Sequence, residues 1–278
     1  MIVGASGLLG KYLMREWTPP DQVVGFGSRD FDIRNLAQTQ AAVEDRKPHW
    51  IVLAAAYTDV DGCETNPEVA TDTNVHGALN VAAAAKAHHA RLLFLSSDYV
   101  FDGCKTTPYE VDDPISPQSV YGKTKAEAEL GIRKILPTAC IVRTSWVFGR
   151  GGKCFPDTIL KLASTRREIA VVDDQRGCPT YARDLARAII RLCNKGAEGT
   201  IHVTNGGNCT WFEFARATLR HAGSTTSVVP TTTENFPRPA QRPKYSVLSA
   251  KSLAAHGMVL PAWGKALDDY LKEGNSLP

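Results

Sequence analysis

The chain has 278 residues, 43% of them hydrophobic and 22% charged, with a formal net charge of +3. This composition excludes collagen-like, low-complexity and disordered chains. The charge is too mild for a nucleic-acid surface, and no apolar run approaches the roughly 18 residues of a membrane span. Met1 to Gly10 show no basic region followed by an apolar core and a cleavage site. The seven cysteines are odd in number and no two are spaced C-x-x-C. A disulfide framework or zinc ribbon is therefore not expected, and reduced thiols in a cytoplasmic protein are. No cysteine is assigned a catalytic role.

Taken in chain order, only Ile2 and Val3 precede a glycine-rich turn. A central strand usually runs about five or six residues. The expectation is a strand trimmed at its amino end, or a truncated terminus, with the carboxyl end intact. Val23-Val24-Gly25-Phe26, Trp50-Ile51-Val52-Leu53-Ala54-Ala55, Leu92-Leu93-Phe94-Leu95 and Cys140-Ile141-Val142-Arg143 read as further strands. Continuous apolar runs suit strands buried on both faces of a parallel sheet. Helical stretches alternate with them at 35–46, capped by Asn35, at 67–89, with Pro67 at its first position, and at 119–134. The alternation predicts an α/β fold with a doubly wound parallel sheet. After Ser145 the pattern changes, with a flexible break at Gly149, Gly151 and Gly152. Helices are expected at 155–166, 181–194 and 210–221, and strands at 169–172 and 200–203. Pro230, Pro237, Pro239 and Pro243 predict an extended loop over 230–243.

Gly4-Ala5-Ser6-Gly7-Leu8-Leu9-Gly10 fits G-x-x-G-x-x-G at the first strand–helix junction. Gly4 allows the tight turn, Gly7 lets backbone approach a pyrophosphate, and Gly10 permits close helix–strand packing. Amides at the helix start would then face the phosphates. The second strand ends Gly25-Phe26-Gly27-Ser28-Arg29-Asp30, with no acid directly at its end. Ser28 and Arg29 suit a 2′-phosphate, which favours NADPH. If Asp30 takes the ribose instead, NADH is the cofactor.

Tyr121-Gly122-Lys123-Thr124-Lys125 contains Tyr-x-x-x-Lys. On a helix, positions i and i+4 share a face, so Lys125 can lie near the Tyr121 phenol. A nearby cation is expected to favour phenolate and bring the group toward neutral pH as an acid/base. Ser97 follows the fourth strand, where a doubly wound sheet puts its ligands, and can donate to a carbonyl oxygen gaining charge.

The glycine motif, the serine and Tyr-x-x-x-Lys, in this order, resemble the extended short-chain dehydrogenase/reductases, and within them the dTDP-4-dehydrorhamnose reductases. The likeness runs through Ala54 to Asp61, Ser96-Ser97-Asp98-Tyr99-Val100-Phe101, Val120 to Lys125, Arg143 to Phe148, Asp174 to Thr180 and Pro239-Ala240-Gln241-Arg242-Pro243. It implies a Rossmann-type dinucleotide-binding domain over 1–147 and a smaller mixed α/β domain over 148–278, mainly for the sugar nucleotide. Later segments are expected to cross back to the first domain.

The resemblance implies reduction of the C4 keto group of dTDP-4-dehydro-L-rhamnose by NADPH or NADH. Tyr121 would be the proton donor, Lys125 would bind the nicotinamide ribose, and Ser97 would polarise the carbonyl. Gly4, Ser6, Gly7, Leu8 and Leu9 would line the pyrophosphate, with Arg29, Asp32 and Ile33 toward the adenosine. Ala54, Ala56, Tyr57 and Thr58 would follow the cofactor, and Asn74 would lie on a helix beneath the site. Asp98, Tyr99, Trp146 and Arg242 would meet the sugar nucleotide. Tyr12 stands where some members carry a glutamate that holds Mg²⁺ at a dimer interface. No metal is expected by that route, although a homodimer is not excluded. Two other readings stay open: a reductase of another nucleotide 4-keto-6-deoxysugar, and an NADP-binding regulatory subunit like that of methionine adenosyltransferase. Arg143-Thr144-Ser145-Trp146 follows the reductase pattern. No nucleic-acid or membrane partner is expected.

Overall fold

The apolar runs of the first half become neighbouring parallel strands in the computed structural model, which describes residues 1–18 and 21–273. They are β1 (Ile2–Val3), β2 (Gly25–Phe26), β3 (Trp50–Leu53), β4 (Arg91–Ser97) and β5 (Cys140–Thr144). A sixth strand, Gly199–His202, returns from late in the chain to pair with β5. The order across the sheet is Gly199–His202, β5, β4, β3, β1, β2, and every pairing is parallel.

Alternation along each strand sends side chains to opposite faces. Ile2, Val52, Leu93, Cys140 and Val142 pack on one face with the helices Leu8–Glu16 and Ala182–Asn194. Val3, Ile51, Leu92, Phe94 and Ile141 pack on the other with Leu36–Arg46, Gly77–Ala87 and Val120–Ile135. With both faces covered, the strands need no polar positions, which is why they read as continuous apolar runs. From β1 the chain first goes to β2 on one side, then to β3 on the other. The carboxyl ends of β1 and β3 therefore diverge into a crevice, the usual ligand position of such sheets.

Asn35 caps its helix as expected, its side chain accepting from Gln38 N at 3.1 Å. The helix from Pro67 is interrupted. Pro67–Thr71 and Gly77–Ala87 are joined by one wider π turn, Asp72–His76. Such turns recur at functional sites. This one carries the buried Asn74, whose bonds are described below.

Beyond β5 the sheets are small. Val147–Phe148 pairs with Thr180–Tyr181, Arg176–Gly177 with Cys209–Thr210, and Glu168–Val172 with Ser227–Thr231. The last pairing corrects the expectation of a loop throughout 230–243, since Pro230 sits in a strand opposite Val171. A two-stranded sheet leaves each strand an open edge, so a residue without an N–H is tolerated. Of the span 148–278, residues 274–278 lie outside the described residues. All seven cysteines are unpaired and six are buried. Among the described residues no helix is long and apolar enough to cross a membrane.

Candidate active site

A cleft of about 830 Å³ runs along the carboxyl ends of β1, β3, β4 and β5. Gly4 turns the chain out of β1 with φ +94, and a Cβ there would lie 2.5 Å from Ala55 N. A Cβ on Gly10 would lie 2.1 Å from Gly4 O. Both glycines are thus required by backbone crossing backbone. The helix Leu8–Glu16 starts at Gly7 with no side chain capping its first amides. Gly4, Ser6, Gly7, Leu8 and Leu9 all line the cleft. Uncapped amides and the positive helix end make this an anion site in which a pyrophosphate fits.

Toward the far end, Ser28, Asp32 and Ile33 line the cleft, but Arg29 does not. Arg29 is exposed on the turn after β2, and Asp30 is used locally, its Oδ2 accepting from Gly27 N at 2.6 Å. The arginine that does line this end is Arg34, paired to Asp32 at 2.6 Å. The Arg34 guanidinium holds the Asp32 carboxyl below its usual value. Arg34 follows directly after the Asp32-Ile33 pair, so it was in view in the sequence; only the fold turns it toward the cleft.

Ala54, Ala56 and Thr58 line the cleft after β3, and Tyr57 does not. Tyr57 is fixed through its backbone instead. Its N–H donates to Asn74 Oδ1 at 2.8 Å, and its carbonyl accepts from Asn74 Nδ2 at 3.1 Å. Asn74 Nδ2 also donates to Thr124 Oγ1 at 3.1 Å. One buried amide thereby ties the loop after β3 to the helix that carries Tyr121 and Lys125.

That helix, Val120–Ile135, is capped by Ser119, whose hydroxyl accepts from Gly122 N at 3.1 Å. Tyr121 and Lys125 share its cleft-facing side, and Ser97 at the end of β4 lines the same cleft. Ser97 Oγ donates to Asp98 Oδ1 at 3.0 Å and accepts from Tyr99 N at 3.2 Å. Tyr99 stands edge-on to Tyr121, ring centroids 5.6 Å apart. Burial pushes the Tyr121 phenol above its ordinary pKa, and a hydrogen bond with Ser97 only partly offsets this. Burial thus acts against the acidification expected from Lys125. Lys125 is itself buried, which lowers its ammonium to about 7 against the opposing charge of Glu129. Lys125 Nζ lies over the Phe94 ring, 4.1 Å from its centroid. Asp98 is 1% exposed, and burial raises its carboxyl to about 6 against the lowering by the Ser246 and Ser97 hydroxyls.

The opposite wall is aromatic. Trp146 adopts φ +47, a left-handed conformation uncommon for a bulky residue. Its ring stacks on Trp211 at 3.5 Å and 9°. A Cβ on Gly177 would lie 2.5 Å from the Trp146 ring, so this glycine makes room for the indole. Trp211 also lines the cleft. Sequence reasoning missed it, because its place depends on a helix 65 residues downstream of Trp146 in the chain. Asp98, Tyr99 and Arg242 line the cleft as well. Tyr12 lies away from it, its hydroxyl donating to Glu273 at 2.6 Å. Among the described residues no group of three or more His, Cys, Asp or Glu could hold a metal.

A family model described as the RmlD substrate binding domain matches residues 1–276. The chain belongs to this family. It is 39% identical over 282 residues to a dTDP-4-dehydrorhamnose reductase of Streptomyces griseus, covering 97% of this chain and 91% of the relative. A Streptomyces antibioticus protein, named a probable dTDP-4,6-dihydroxy-2-methyloxan-3-one 4-ketoreductase, is 38% identical over 272 residues, covering 96% and 92%. Among solved structures, a Bacillus anthracis dTDP-4-dehydrorhamnose reductase in complex with NADP superposes with a TM-score of 0.96 at 38% identity, over 98% of both chains. The fold is the Rossmann type shared by this family.

Proposed function

We propose that the chain is an NADPH-dependent reductase of a nucleotide 4-keto-6-deoxysugar, converting dTDP-4-dehydro-L-rhamnose to dTDP-L-rhamnose in the cytoplasm. The observation that carries this reading is the convergence of Ser97, Tyr121 and Lys125 on a cleft that also holds an uncapped helix start. The Bacillus anthracis relative is described with NADP, and the residues here suit that group. The amides at Leu8 and Leu9 would hold its pyrophosphate, and Arg34 with Ser28 its adenosine end.

Bound NADPH would supply a hydride to C4 of the sugar. The protein's part is the proton and the orientation. The Tyr121 phenol, kept protonated by burial, gives its proton to the C4 oxygen as that oxygen gains charge. Ser97 turns its proton from Asp98 to the same oxygen and stabilises it. Asp98, relieved of that bond, has an oxygen free for a sugar hydroxyl. Lys125 lies one turn below Tyr121, where an anionic cofactor would restore its full charge. Trp146 and Trp211 offer a flat apolar wall for the deoxysugar face. We take residues 1–147, with the returning strand Gly199–His202, as the cofactor-binding part, and the small sheets beyond β5 as the sugar-nucleotide part.

The test is NADPH oxidation with dTDP-4-dehydro-L-rhamnose, followed by NMR of the sugar product. Turnover yielding the rhamno configuration supports the reading, and no oxidation with any dTDP-4-keto sugar overturns it. The Streptomyces antibioticus relative is named for a different keto sugar, which favours one second reading: the same chemistry with another stereochemical outcome. The product spectrum separates the two.

A further inference from the structure

Asp61, in the first turn of the short helix Val60–Thr65, has no role in the chemistry above. Its carboxylate is nevertheless engaged entirely by the far end of the chain. Oδ1 accepts from Arg242 Nη1 at 3.0 Å and from Ala240 N at 3.2 Å. Oδ2 accepts from Arg242 Nη2 at 3.0 Å and Arg238 Nε at 2.9 Å. Two parallel bonds to one guanidinium fix its plane as well as its position. Arg242 Nη1 also donates to Ala240 O at 3.1 Å. That leaves the Nε–H and one Nη2 proton of Arg242 for another acceptor. The strap is braced on its other side too, for a Cβ on Gly103 would lie 2.6 Å from Pro243 Cβ.

Arg242 lines the catalytic cleft and also a second cavity of about 900 Å³. Lys105, Arg238, Lys244 and Tyr245 border that second cavity. Its one carboxylate, Asp102, is occupied by the Tyr109 hydroxyl at 2.5 Å and Cys104 N at 3.0 Å. Lys105 is paired to Asp113 at 2.5 Å and Arg238 to Asp61, so the cationic groups left to a ligand in this space are Lys244 and the open edge of Arg242, with Tyr245 beside them, which suits the diphosphate and base of a nucleotide.

We propose that Asp61 is a positioning residue for substrate: it holds Arg242 on the wall shared by the two cavities, where the diphosphate of a nucleotide sugar would cross from one to the other. The proposal rests on reading the cleft as a nucleotide-sugar site. Burial alone would raise the Asp61 carboxyl, but the bonds from Arg242, the Ala240 amide and Arg238 outweigh burial and hold it at about 2. The clasp is thus ionised throughout the working range.

The test is a double-mutant cycle on binding of dTDP by calorimetry, using D61N, R242A and the double variant in the full chain. D61N is expected to weaken dTDP about tenfold and to raise KM for the sugar nucleotide similarly, with NADPH affinity unchanged. In the R242A background, D61N is expected to add nothing, because Asp61 acts through that guanidinium. Undiminished dTDP affinity in D61N overturns the proposal, as does an equal loss with and without Arg242. A drop in melting temperature alone, without a change in dTDP affinity, also overturns it in favour of a purely structural strap. Wild-type turnover is measured separately. If dTDP binding depends on Asp61 but no keto sugar is reduced, the reductase reading fails and the role of Asp61 stands.

Discussion

The region up to β5 and the region beyond it are built by different means. The first repeats one unit, and its strands are held by ladders and two apolar layers. The second packs its short strand pairs on a smaller apolar cluster around Ile159, Ile169, Ala215 and Leu219 and adds single contacts: the Trp146–Trp211 stack, the Gly177 gap and, reaching back to the first region, the clasp of Arg238 and Arg242 on Asp61. A repeated unit positions backbone, and backbone is what a dinucleotide phosphate needs. Single contacts position side chains, and side chains are what distinguish one sugar from another. Changes to the glycine turn, the strands and the Tyr121 helix of the first region should therefore cost proton transfer, cofactor binding or stability, and changes to the single contacts, Asp61 among them, should cost substrate affinity.

The largest expected effect is on chemistry. Tyr121→Phe removes the proton donor and leaves the ring edge against Tyr99. Turnover should fall by about 10²–10⁴ while NADPH titration is unaltered. Wild-type-like kcat in this variant would end the mechanism.

Next is stability in the repeated region. Arg143 on β5 and Glu129 on the helix Val120–Ile135 form a buried pair at 2.7 Å, with Arg143 also donating to Val111 O at 3.1 Å. Arg143→Leu removes the hydrogen-bonded partner of the buried Glu129 carboxylate and leaves it only Lys125 one turn away, at a cost of about 3–5 kcal/mol in urea unfolding. A loss under 1 kcal/mol would mean that water or another group reaches Glu129.

The second region should respond differently. Trp211→Leu keeps an apolar side chain but removes the flat partner of Trp146. An aromatic pair is worth about 0.5–1.5 kcal/mol beyond its buried area. KM for the sugar nucleotide should rise up to about tenfold, with NADPH affinity retained. An equal loss of NADPH affinity would erase the division of labour between the regions.

That division also explains what was legible in the sequence. The strands of the first region announce themselves because both faces are buried, and Asn35 is read as a cap because capping is local. The glycine turn, Ser97, Tyr121 and Lys125 are set by positions along one repeated unit, so spacing suffices to bring them to one cleft. Arg29 lies outside the cleft lining and Arg34 within it, because strand-end spacing does not say which way a loop side chain turns. Trp211 and Asp61 are invisible for another reason. Each acts through a partner far along the chain, Asp61 reaching Arg242 across 181 residues. Helix spacing gives the proximity of Tyr121 to Lys125 but not the burial that raises the one and lowers the other.

That burial gives the smallest expected effect, and one with two opposite signs. Burial lowers the Lys125 ammonium from its ordinary 10.5 to about 7 in the folded chain. As pH rises through about 7 the free protein loses the cation meant for the cofactor, so kcat/KM for NADPH should fall, roughly fivefold from pH 7 to 8. Stability moves the other way. The unfolded chain keeps this proton up to about 10.5, so between the two values the unfolded state binds more protons, and the cost of burying Lys125 shrinks as pH rises. Lys125→Met should abolish the alkaline limb of kcat/KM and most activity, yet raise the melting temperature at pH 7. A melting temperature that falls instead would mean that Lys125 is paired in the folded protein, and the alkaline limb would then belong to another group.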